Sequence, residues 1–449
     1  YTLAERLPQI NLKAADNYYL PELTNRFFEV PTLQKSLAKL LLDIPTATIQ
    51  ILFGLLLLSF YHPAFILFGL LLLLILWLIL YYSGSRGMSS SLAESMYKYR
   101  VAAWLQEVAR LVKTFKFSKG ASLNLQKADA HTGHYLAARN EHFHILQFQF
   151  KILVVFKVLI TAAMLIVGSI LLVNQQLNIG QFIAAEIIII TIISSVEKLI
   201  VNLDSVYDVL TSIQKIAKIT EQPIEENGSI ALDHAATGLS IKLQDVGFGY
   251  DDNRLVLNGV NANIAAGNKV CIMGNESTGK SSFLKLLTGA YPDYSGAILI
   301  NGLSPGNYAK ETLRAQTGIL LHQQDIFNGS IWENITMGNR DIPLAELSSL
   351  IETTGLDQYI GTQKKSLDTI LDSGGKRLPE KIIRKILLVR ALTGRPRLLL
   401  LEEPWLGMSE ADALSIQQYL LKGLPNTTVI VVSNDEKFAG QCDQVIQMT

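Results

Sequence analysis

The sequence predicts two parts of different fold class, a membrane all-α helical bundle in the first half and an α/β domain in the second. Two observations support this prediction. The first half contains four apolar runs of about 20 residues, the length a helix needs to cross a bilayer. The second half contains a glycine-flanked lysine between an apolar run typical of a buried strand and a segment with helical spacing. We therefore expect membrane-spanning helices and a parallel-sheet domain in one polypeptide.

The composition of the 449-residue chain agrees with a membrane-embedded part. Apolar residues make up 49% of the chain and charged residues only 17%, and the apolar excess is concentrated in the first half. Acidic and basic residues balance at 39 each, so charge gives no argument for nucleic acid as a partner. The two cysteines, Cys271 and Cys442, imply no disulfide framework and no cysteine-built metal site, and Cys271 is expected in the core.

Four segments of the predicted transmembrane domain, residues 1–220, are expected to span a lipid bilayer. They are residues 44–61, 63–82, 150–173 and 179–203. A buried helix of a soluble protein is the alternative for any one of them, but four in succession favour membrane spans. Lys157 and Glu186 lie deep within the later segments, where an ionisable group normally faces a cavity or another helix. Glu186 is therefore a candidate for lining a substrate path or for pairing helices.

Positive charges predict the orientation of the spans. The short connections at residues 61–63 and 174–178 contain no Lys or Arg, whereas residues 83–149 are rich in both. Because loops rich in Lys and Arg stay in the cytosol, we expect residues 83–149 and the second half of the chain to be cytosolic, with the spans in the inner (plasma) membrane. Apolar residues in this long connection recur at helical spacing, so the spans are expected to continue beyond the bilayer as amphipathic helices.

A linker at residues 221–238 is predicted to lead into a nucleotide-binding domain, residues 239–449. Residues 274–281 read G-x-x-x-x-G-K-S, the spacing of a P-loop, in which backbone N–H groups and a helix N-terminus cradle phosphates. Lys280 is expected to reach the β- and γ-phosphates and Ser281 to hold Mg²⁺. A glycine turn with a surface lysine is the alternative, which the flanking strand and helix disfavour.

Two further features belong to the predicted nucleotide site. Tyr250 precedes the P-loop at a distance from which its ring can stack on adenine. Residues 398–403 read as a buried parallel strand that delivers Glu402 and Glu403 to its C-terminal edge, where ligands of open α/β sheets bind. A core strand ending in surface acids is the alternative for that run. The predicted nucleotide-binding residues are Tyr250, Gly274, Asn275, Glu276, Ser277, Thr278, Gly279, Lys280, Ser281 and Ser282.

The order and spacing of these segments resemble the nucleotide-binding domain of ABC transporters. Besides Tyr250, the P-loop and the leucine strand, the resemblance rests on residues 327–335, 389–392 and 429–433. The membrane half resembles a type I exporter half-transporter, and residues 25–30 and 33–35 look most like the type I secretion, haemolysin-exporter group. Such half-transporters have six spans, so we expect two more to precede the four seen here.

The resemblance implies partners and cofactors. It implies ATP and Mg²⁺ as ligands, a second half-transporter in a homodimer or heterodimer, and a periplasmic adaptor protein. It also implies a peptide or protein cargo, although lipid or drug-like cargo stays open. In this family the P-loop of one domain faces an L-S-G-G-Q segment of the other. That segment should occupy residues 378–382, where only the leucine is retained. The similar sequence Ser373–Gly375 lies six residues too early to take its place.

Other positions also depart from the family pattern. His322 stands where a glutamine is expected, with Gln323 adjacent, Glu402 replaces an aspartate that supports Mg²⁺, and Asn434 replaces a switch histidine. Glu403, the implied general base, is retained. The resemblance therefore assigns catalytic positions to Glu403, Asn434 and His322, and metal positions to Ser281, Gln323 and Glu402. We expect ATP binding with slow hydrolysis by a homodimer. A degenerate ATP-sensing regulatory or scaffolding subunit is the alternative, and a soluble P-loop ATPase is nearly excluded by the spans.

Overall fold

The computed structural model describes residues 1–16, 20–118, 122–233, 235, 237–250, 254–322 and 324–448. Contacts divide the chain into two compact units. The first comprises residues 1–10 and 14–223, and the second comprises residues 11–13 and 224–449. The first unit is helical and the second is an α/β unit built on a parallel sheet, which confirms the predicted fold class.

Long helices dominate the first 220 residues. The helices are α1 (Thr2–Arg6), α2 (Leu12–Asp16), α3 (Leu20–Thr24), α4 (Glu29–Tyr61), α5 (Ala64–Arg110), α6 (Val112–Phe117), α7 (Ser122–Val173), α8 (Ile179–Val201) and α9 (Leu203–Thr220). Four helical stretches are long and apolar enough to cross a membrane, at Leu20–Tyr61, Ala64–Arg110, Ser122–Val173 and Ile179–Thr220. Helices α5 and α7 continue well beyond the predicted apolar segments, as the helical spacing in residues 83–149 predicts.

Local sequence explains where the spanning helices turn. His62 has an extended backbone, because a residue that precedes proline is disfavoured in the helical region, and α4 therefore ends at Tyr61. Pro63 then precedes the first residue of α5, and the His62 Nδ1 accepts a hydrogen bond from the Ala64 N–H at 3.1 Å. At the next connection Asn178 and Gln181 form a reciprocal capping box that starts α8.

The membrane helices bury one face and expose the other. Ile51, Leu58 and Leu72 are inward-facing and nearly inaccessible, whereas Phe53 and Leu67 on the same helices are more than half exposed. Only 22–33% of the residues in the most apolar windows of the four stretches are buried. A surface this apolar is unstable in water and suits contact with lipid.

One predicted intramembrane charge pairs across the bundle. Lys157 of α7 forms an ion pair with Glu197 of α8. Lys157 therefore faces another helix, as expected for an ionisable group at that depth. Glu186 is partly buried on α8, and the choice between a substrate-path and a pairing role stays a prediction.

The second unit contains ten strands and eight helices among its described residues. The strands are β1 (Ile241–Phe248), β2 (Leu257–Ile264), β3 (Lys269–Gly274), β4 (Ser295–Ile300), β5 (Thr317–Leu320), β6 (Gly329–Ser330), β7 (Ile370–Leu371), β8 (Leu398–Glu402), β9 (Thr428–Val432) and β10 (Gln444–Met448). The helices are α10 (Lys280–Leu287), α11 (Lys310–Ala315), α12 (Ile331–Thr336), α13 (Leu344–Thr353), α14 (Asp357–Gly361), α15 (Glu380–Leu392), α16 (Glu410–Gln418) and α17 (Glu436–Ala439).

A parallel sheet forms the centre of this unit, in the strand order β10-β3-β9-β8-β5, beside an antiparallel sheet in the order β2-β1-β4. The four leucines of β8 are completely buried, as expected for a parallel strand covered on both faces. Cys271 is also fully buried, which confirms its predicted place in the core. Because β3, β9 and β8 are neighbours and parallel, their carboxyl ends meet at one sheet edge. This edge carries the candidate site.

Candidate nucleotide-binding site

The P-loop joins the end of β3 to the start of α10, and its two motif glycines are sterically required. Gly274 and Gly279 have φ angles of 156° and 85°. A Cβ on Gly274 would come within 2.3 Å of the Met448 carbonyl oxygen, and one on Gly279 within 2.5 Å of Leu257 Cδ2. Ser277 between them also has a positive φ, of 64°. The fixed glycine positions of the motif thus follow from backbone shape and close packing.

The side chains of the P-loop make well-defined contacts. Lys280 Nζ donates hydrogen bonds to the carbonyl oxygens of Gly274, at 2.8 Å, and of Asn275. Thr278 Oγ1 donates to the same Asn275 carbonyl at 3.0 Å, while Glu276 is exposed at the loop tip. The ammonium group is therefore held against the loop whose N–H groups and helix N-terminus suit a phosphate.

Tyr250 lies beside the P-loop, where the sequence predicts it. Its hydroxyl lies 3.0 Å from Ser282 Oγ. Its ring packs edge-on against Phe248 and Tyr291, with centroid separations of 5.0 and 5.6 Å. These contacts fix the ring next to the loop.

A cavity of about 480 Å³ opens between Tyr250 and the P-loop. Its volume falls in the range of about 300–1,000 Å³ that small-molecule sites occupy. Arg254, Leu255 and Val256 complete the wall opposite residues 277–282. Sequence reasoning missed these three residues, because they carry no motif and lie between Tyr250 and the start of β2.

Two predicted metal positions meet at the sheet edge. Ser281 Oγ donates a hydrogen bond to Glu402 Oε1, and the backbone N–H of His322 donates to Glu402 Oε2 at 2.9 Å. Gln323, the third predicted metal position, lies outside the described residues. A hydroxyl and a carboxylate oxygen side by side fit Mg²⁺, which takes hard oxygen ligands and usually only one or two protein groups besides phosphates. Within the described residues no cluster of three His, Cys, Asp or Glu side chains could hold a metal alone.

Glu403 follows Glu402 in a strained and partly buried position. Its φ angle is 43°, a conformation that non-glycine residues adopt mainly where function or packing requires it. Ser433 Oγ donates a hydrogen bond to Glu403 Oε2 at 3.3 Å. Burial raises the pKa of the Glu403 carboxyl, because loss of water penalises its charged form, and this outweighs the Ser433 hydrogen bond and the nearby positive charge of Arg384. A carboxylate with a raised pKa is suited to general-base chemistry.

His322 and Asn434 occupy different places around this edge. The exposed His322 side chain has its Nδ1 3.4 Å from Arg384 Nη2. Asn434 Oδ1 accepts a hydrogen bond from the Gly274 N–H at 3.2 Å, so this side chain braces the entrance to the P-loop. The structure thus brings both residues to the site, and their catalytic roles stay predictions.

Arg384 on α15 is a site residue that the sequence analysis missed. It is only 7% exposed, and its Nη1 donates to the backbone carbonyls of Glu403, at 2.6 Å, and Glu402, at 3.3 Å. The guanidinium thereby fixes the backbone that carries both carboxylates.

The segment expected at the L-S-G-G-Q position, residues 378–382, contains the start of helix α15. Helix α15 begins at Glu380, directly after Pro379. Proline has no N–H to donate, and Glu380 brings a negative charge to the helix N-terminus. Ser373–Gly375 forms a separate turn, in which a Cβ on Gly375 would approach Ile383 Cδ1 to 2.6 Å. Gly375 is therefore packed within the domain, whereas Ser373 at the start of the turn is exposed.

The fold and the site define a class of protein, a bundle of membrane-spanning helices joined to a P-loop nucleotide-binding unit. Two family models match the chain in the same order. Residues 5–196 match the ABC transporter transmembrane region, and residues 257–406 match the ABC transporter model. The chain belongs to the ABC transporter family, which confirms the predicted resemblance to exporter half-transporters.

Similar proteins include several bacterial exporters. The leukotoxin export ATP-binding protein of Aggregatibacter actinomycetemcomitans is 27% identical over 274 residues, which cover 61% of this chain and 38% of that protein. The alpha-hemolysin translocation ATP-binding protein of Escherichia coli O157:H7 is 26% identical, with coverages of 61% and 39%. The multidrug efflux ATP-binding/permease protein of Mycobacterium tuberculosis is 25% identical, with coverages of 52% and 20%. The aligned region thus spans less than half the length of each of these relatives.

A solved structure shares the fold over the whole chain. It is a bacterial Atm1-family ABC exporter with ATP bound, which matches with a TM-score of 0.87 and 19% identity. The match covers 100% of this chain and 79% of that one. At this identity the likeness concerns the fold alone.

Proposed function

We propose that this chain is the ATP-binding and permease subunit of an ABC exporter, which couples ATP binding and hydrolysis to transport out of the cytosol. One observation carries the proposal: Lys280 and Ser281, which contacts Glu402, line a nucleotide-sized cavity in the same polypeptide as four lipid-compatible helices. The clustering of Lys and Arg in residues 83–149 supports a cytosolic nucleotide-binding domain at the inner membrane.

The P-loop residues account for nucleotide binding. The loop N–H groups and the N-terminus of α10 favour an anion, and Lys280 adds a full positive charge to the β- and γ-phosphates. Tyr250, fixed by its aromatic neighbours, offers its ring to adenine. Ser281 and Glu402 would hold Mg²⁺, which neutralises phosphate charge when bound.

Glu403 is the group that we assign as general base for hydrolysis. Its raised pKa and partial burial suit the removal of a proton from an attacking water. Ser433 and Arg384 hold the side chain and the backbone of this residue in place.

We also infer that a homodimer hydrolyses ATP slowly. In a paired site the N-terminus of α15 of one copy would face the γ-phosphate bound by the other copy. Pro379 has no N–H group to donate to that phosphate, and Glu380 brings a negative charge close to it. The loss of one electrostatic contribution typically costs a factor of about 10²–10⁴ in rate. A partner half-transporter with an intact opposing segment would restore faster turnover. The same residues favour a second candidate function, an ATP-sensing regulatory subunit of another exporter.

Cargo and further partners are proposed from the relatives. The names of two of them, a leukotoxin export protein and an alpha-hemolysin translocation protein, support a peptide or protein cargo. A periplasmic adaptor protein would then connect the exporter to the outside.

The test uses the purified chain in nanodiscs. We expect MgATP to bind, turnover to be slow, and Glu403→Gln to abolish the residual turnover without loss of binding. Pro379→Ser combined with Glu380→Gly should raise turnover at least about tenfold, because it restores a donor and removes a charge. Glu410→Gly, at the first position of α16, is the matched control for loss of a helix-end carboxylate. Absence of ATP binding would refute the exporter assignment, and full exporter turnover by the unaltered chain would refute the impaired site.

A further inference from the structure

A polar cavity of about 200 Å³ lies inside the helical unit, between α4, α5, α7 and α9. Its lining residues lie outside the predicted apolar segments, at residues 29–32, 91–98, 139–146 and 204–212. An engineered apolar cavity of about 150 Å³ stays dry and accepts benzene, so a polar cavity of this size has room for a small organic molecule. None of the nucleotide-site residues takes part in it.

The charge of the cavity is arranged with acids inside and bases at the rim. The Glu29 side chain is 6% exposed and pairs with Lys98, which is 51% exposed. Glu94 is 13% exposed and pairs with Arg139, which is 60% exposed. The cationic partners therefore reach toward solvent, while the carboxylates line the interior.

The lining has more acids than permanent cations. Asp204 and Asp208 also line the cavity, so four carboxylates stand against Lys98 and Arg139. His142 is engaged by its neighbours, since its Nδ1 lies 2.8 Å from Ser90 Oγ and its Nε2 lies 3.4 Å from Asp204 Oδ1. The interior therefore favours a positively charged occupant.

Two lining groups have no partner within the described part of the chain. Asp208 makes no hydrogen bond or ion pair there, and it is partly buried beside other acids. Ser95 is only 7% exposed, and its Oγ is buried without a hydrogen-bond partner. Buried polar groups in proteins are nearly always satisfied, so an unpaired hydroxyl in a lining that also carries an unpaired carboxylate points to a ligand.

The chemistry of the lining favours an organic cation over a metal ion. Across the described residues, no three His, Cys, Asp or Glu side chains are grouped closely enough to hold a metal. An aliphatic ammonium group needs fewer ligands, since it donates up to three hydrogen bonds to carboxylate or hydroxyl oxygens. Asp208 and Ser95 provide one acceptor of each kind.

We propose that this cavity binds a small aliphatic ammonium compound of the size of putrescine, which has as many heavy atoms as benzene. One ammonium group pairs with Asp208 and donates to Ser95 Oγ once this hydroxyl rotates toward the cavity. The aliphatic part lies between the helices, and the second ammonium group lies near the other lining carboxylates. Because every lining residue belongs to the helical unit, binding does not require ATP or a functional nucleotide site.

Equilibrium dialysis of radiolabelled putrescine against the full chain in nanodiscs, without nucleotide, tests the proposal. We expect saturable binding to the unaltered chain, at least tenfold weaker binding to Asp208→Asn, and about tenfold weaker binding to Ser95→Ala, which loses one hydrogen bond from a charged donor. Asp208→Glu should retain most of the affinity, because it keeps the charge. Glu141→Gln removes an exposed carboxylate from α7 and is the matched control, with unchanged binding. Excess 1-butanol should not compete.

The opposite results are equally informative. Absence of saturable binding to the unaltered chain overturns the proposal, as does equal affinity of Asp208→Asn and the unaltered chain. Equal losses in Asp208→Asn and Glu141→Gln would identify surface charge as the cause and also overturn it. Melting curves of each variant, together with binding by Asp208→Glu, separate loss of the site from loss of the fold. A chain that binds putrescine but not ATP would refute the exporter assignment and leave this inference standing.

Discussion

Lys280 both holds the backbone of the P-loop and supplies its positive charge. Its Nζ is bonded to backbone carbonyls of Gly274 and Asn275, within the loop that is expected to receive phosphate. We predict that Lys280→Ala weakens MgATP binding at least tenfold, because a phosphate loses its nearest full positive charge. Fluorescent-ATP titration measures the change. Lys437→Ala, which removes an exposed lysine from α17, should leave the affinity unchanged.

Glu403 gives a prediction for the dependence of stability on pH. Its pKa in the folded protein is raised above the ordinary value of 4.5, mainly by burial. The folded state therefore binds the proton more tightly than the unfolded state, and the stabilising effect of protonation is lost as the pH rises through the folded pKa. We expect Glu403→Gln to melt at a higher temperature than the unaltered chain at pH 7.5 without nucleotide.

The same comparison at low pH is the internal check. Below pH 4.5 both versions carry an uncharged side chain at position 403, so their melting temperatures should converge. Glu276→Gln, at an exposed position in the P-loop, should change neither temperature. A difference of equal size at both pH values would show that the charge of Glu403 is not its cause.

At the scale of elements, the turn Ser373–Gly375 gives a prediction about how tightly Gly375 is packed. Gly375 and Gly394 both have positive φ angles, of 59° and 82°. A Cβ on Gly375 would meet Ile383 and Ile326 below 3.0 Å, whereas one on Gly394 would meet no atom within 4 Å. We predict that Gly394→Ala costs about 1 kcal/mol of unfolding free energy for the backbone alone, and that Gly375→Ala costs about 1–3 kcal/mol more for overpacking. Chemical denaturation of the two variants tests this difference, and equal losses would contradict it.

The helices, strands and turns were more predictable from the sequence than the contacts between residues of different elements. The strand that enters the P-loop, the leucine strand β8 and the turn before Pro63 follow from local sequence, because apolar runs, glycines and proline act over a few residues. Arg384 acts on Glu402 and Glu403 from the preceding helix, 18 and 19 residues earlier in the chain, and Arg254–Val256 form a wall without any motif. Such contacts depend on tertiary packing, so the sequence alone does not reveal them.

At the scale of the whole molecule, the outward apolar faces of the four long helices determine how the chain behaves in the cell. Phe53 and Leu67 are examples of side chains that would be exposed to water without a bilayer. We predict that alkaline carbonate, which strips peripheral proteins, leaves the chain in the membrane pellet, and that only detergent releases it. Residues 239–449 expressed alone are the matched control and should remain in the supernatant. Release of the full chain by carbonate would contradict membrane insertion.

The bond between Asn434 and the P-loop has a consequence for the response to acidity. A histidine there would gain a proton near neutrality and change its charge, whereas a carboxamide has no titrating proton in that range. The hydrogen bond from the Gly274 N–H to Asn434 Oδ1 therefore has the same strength at mildly acidic and mildly alkaline pH. Any change in ATP affinity between mildly acidic and mildly alkaline pH must therefore come from the titration of other side chains.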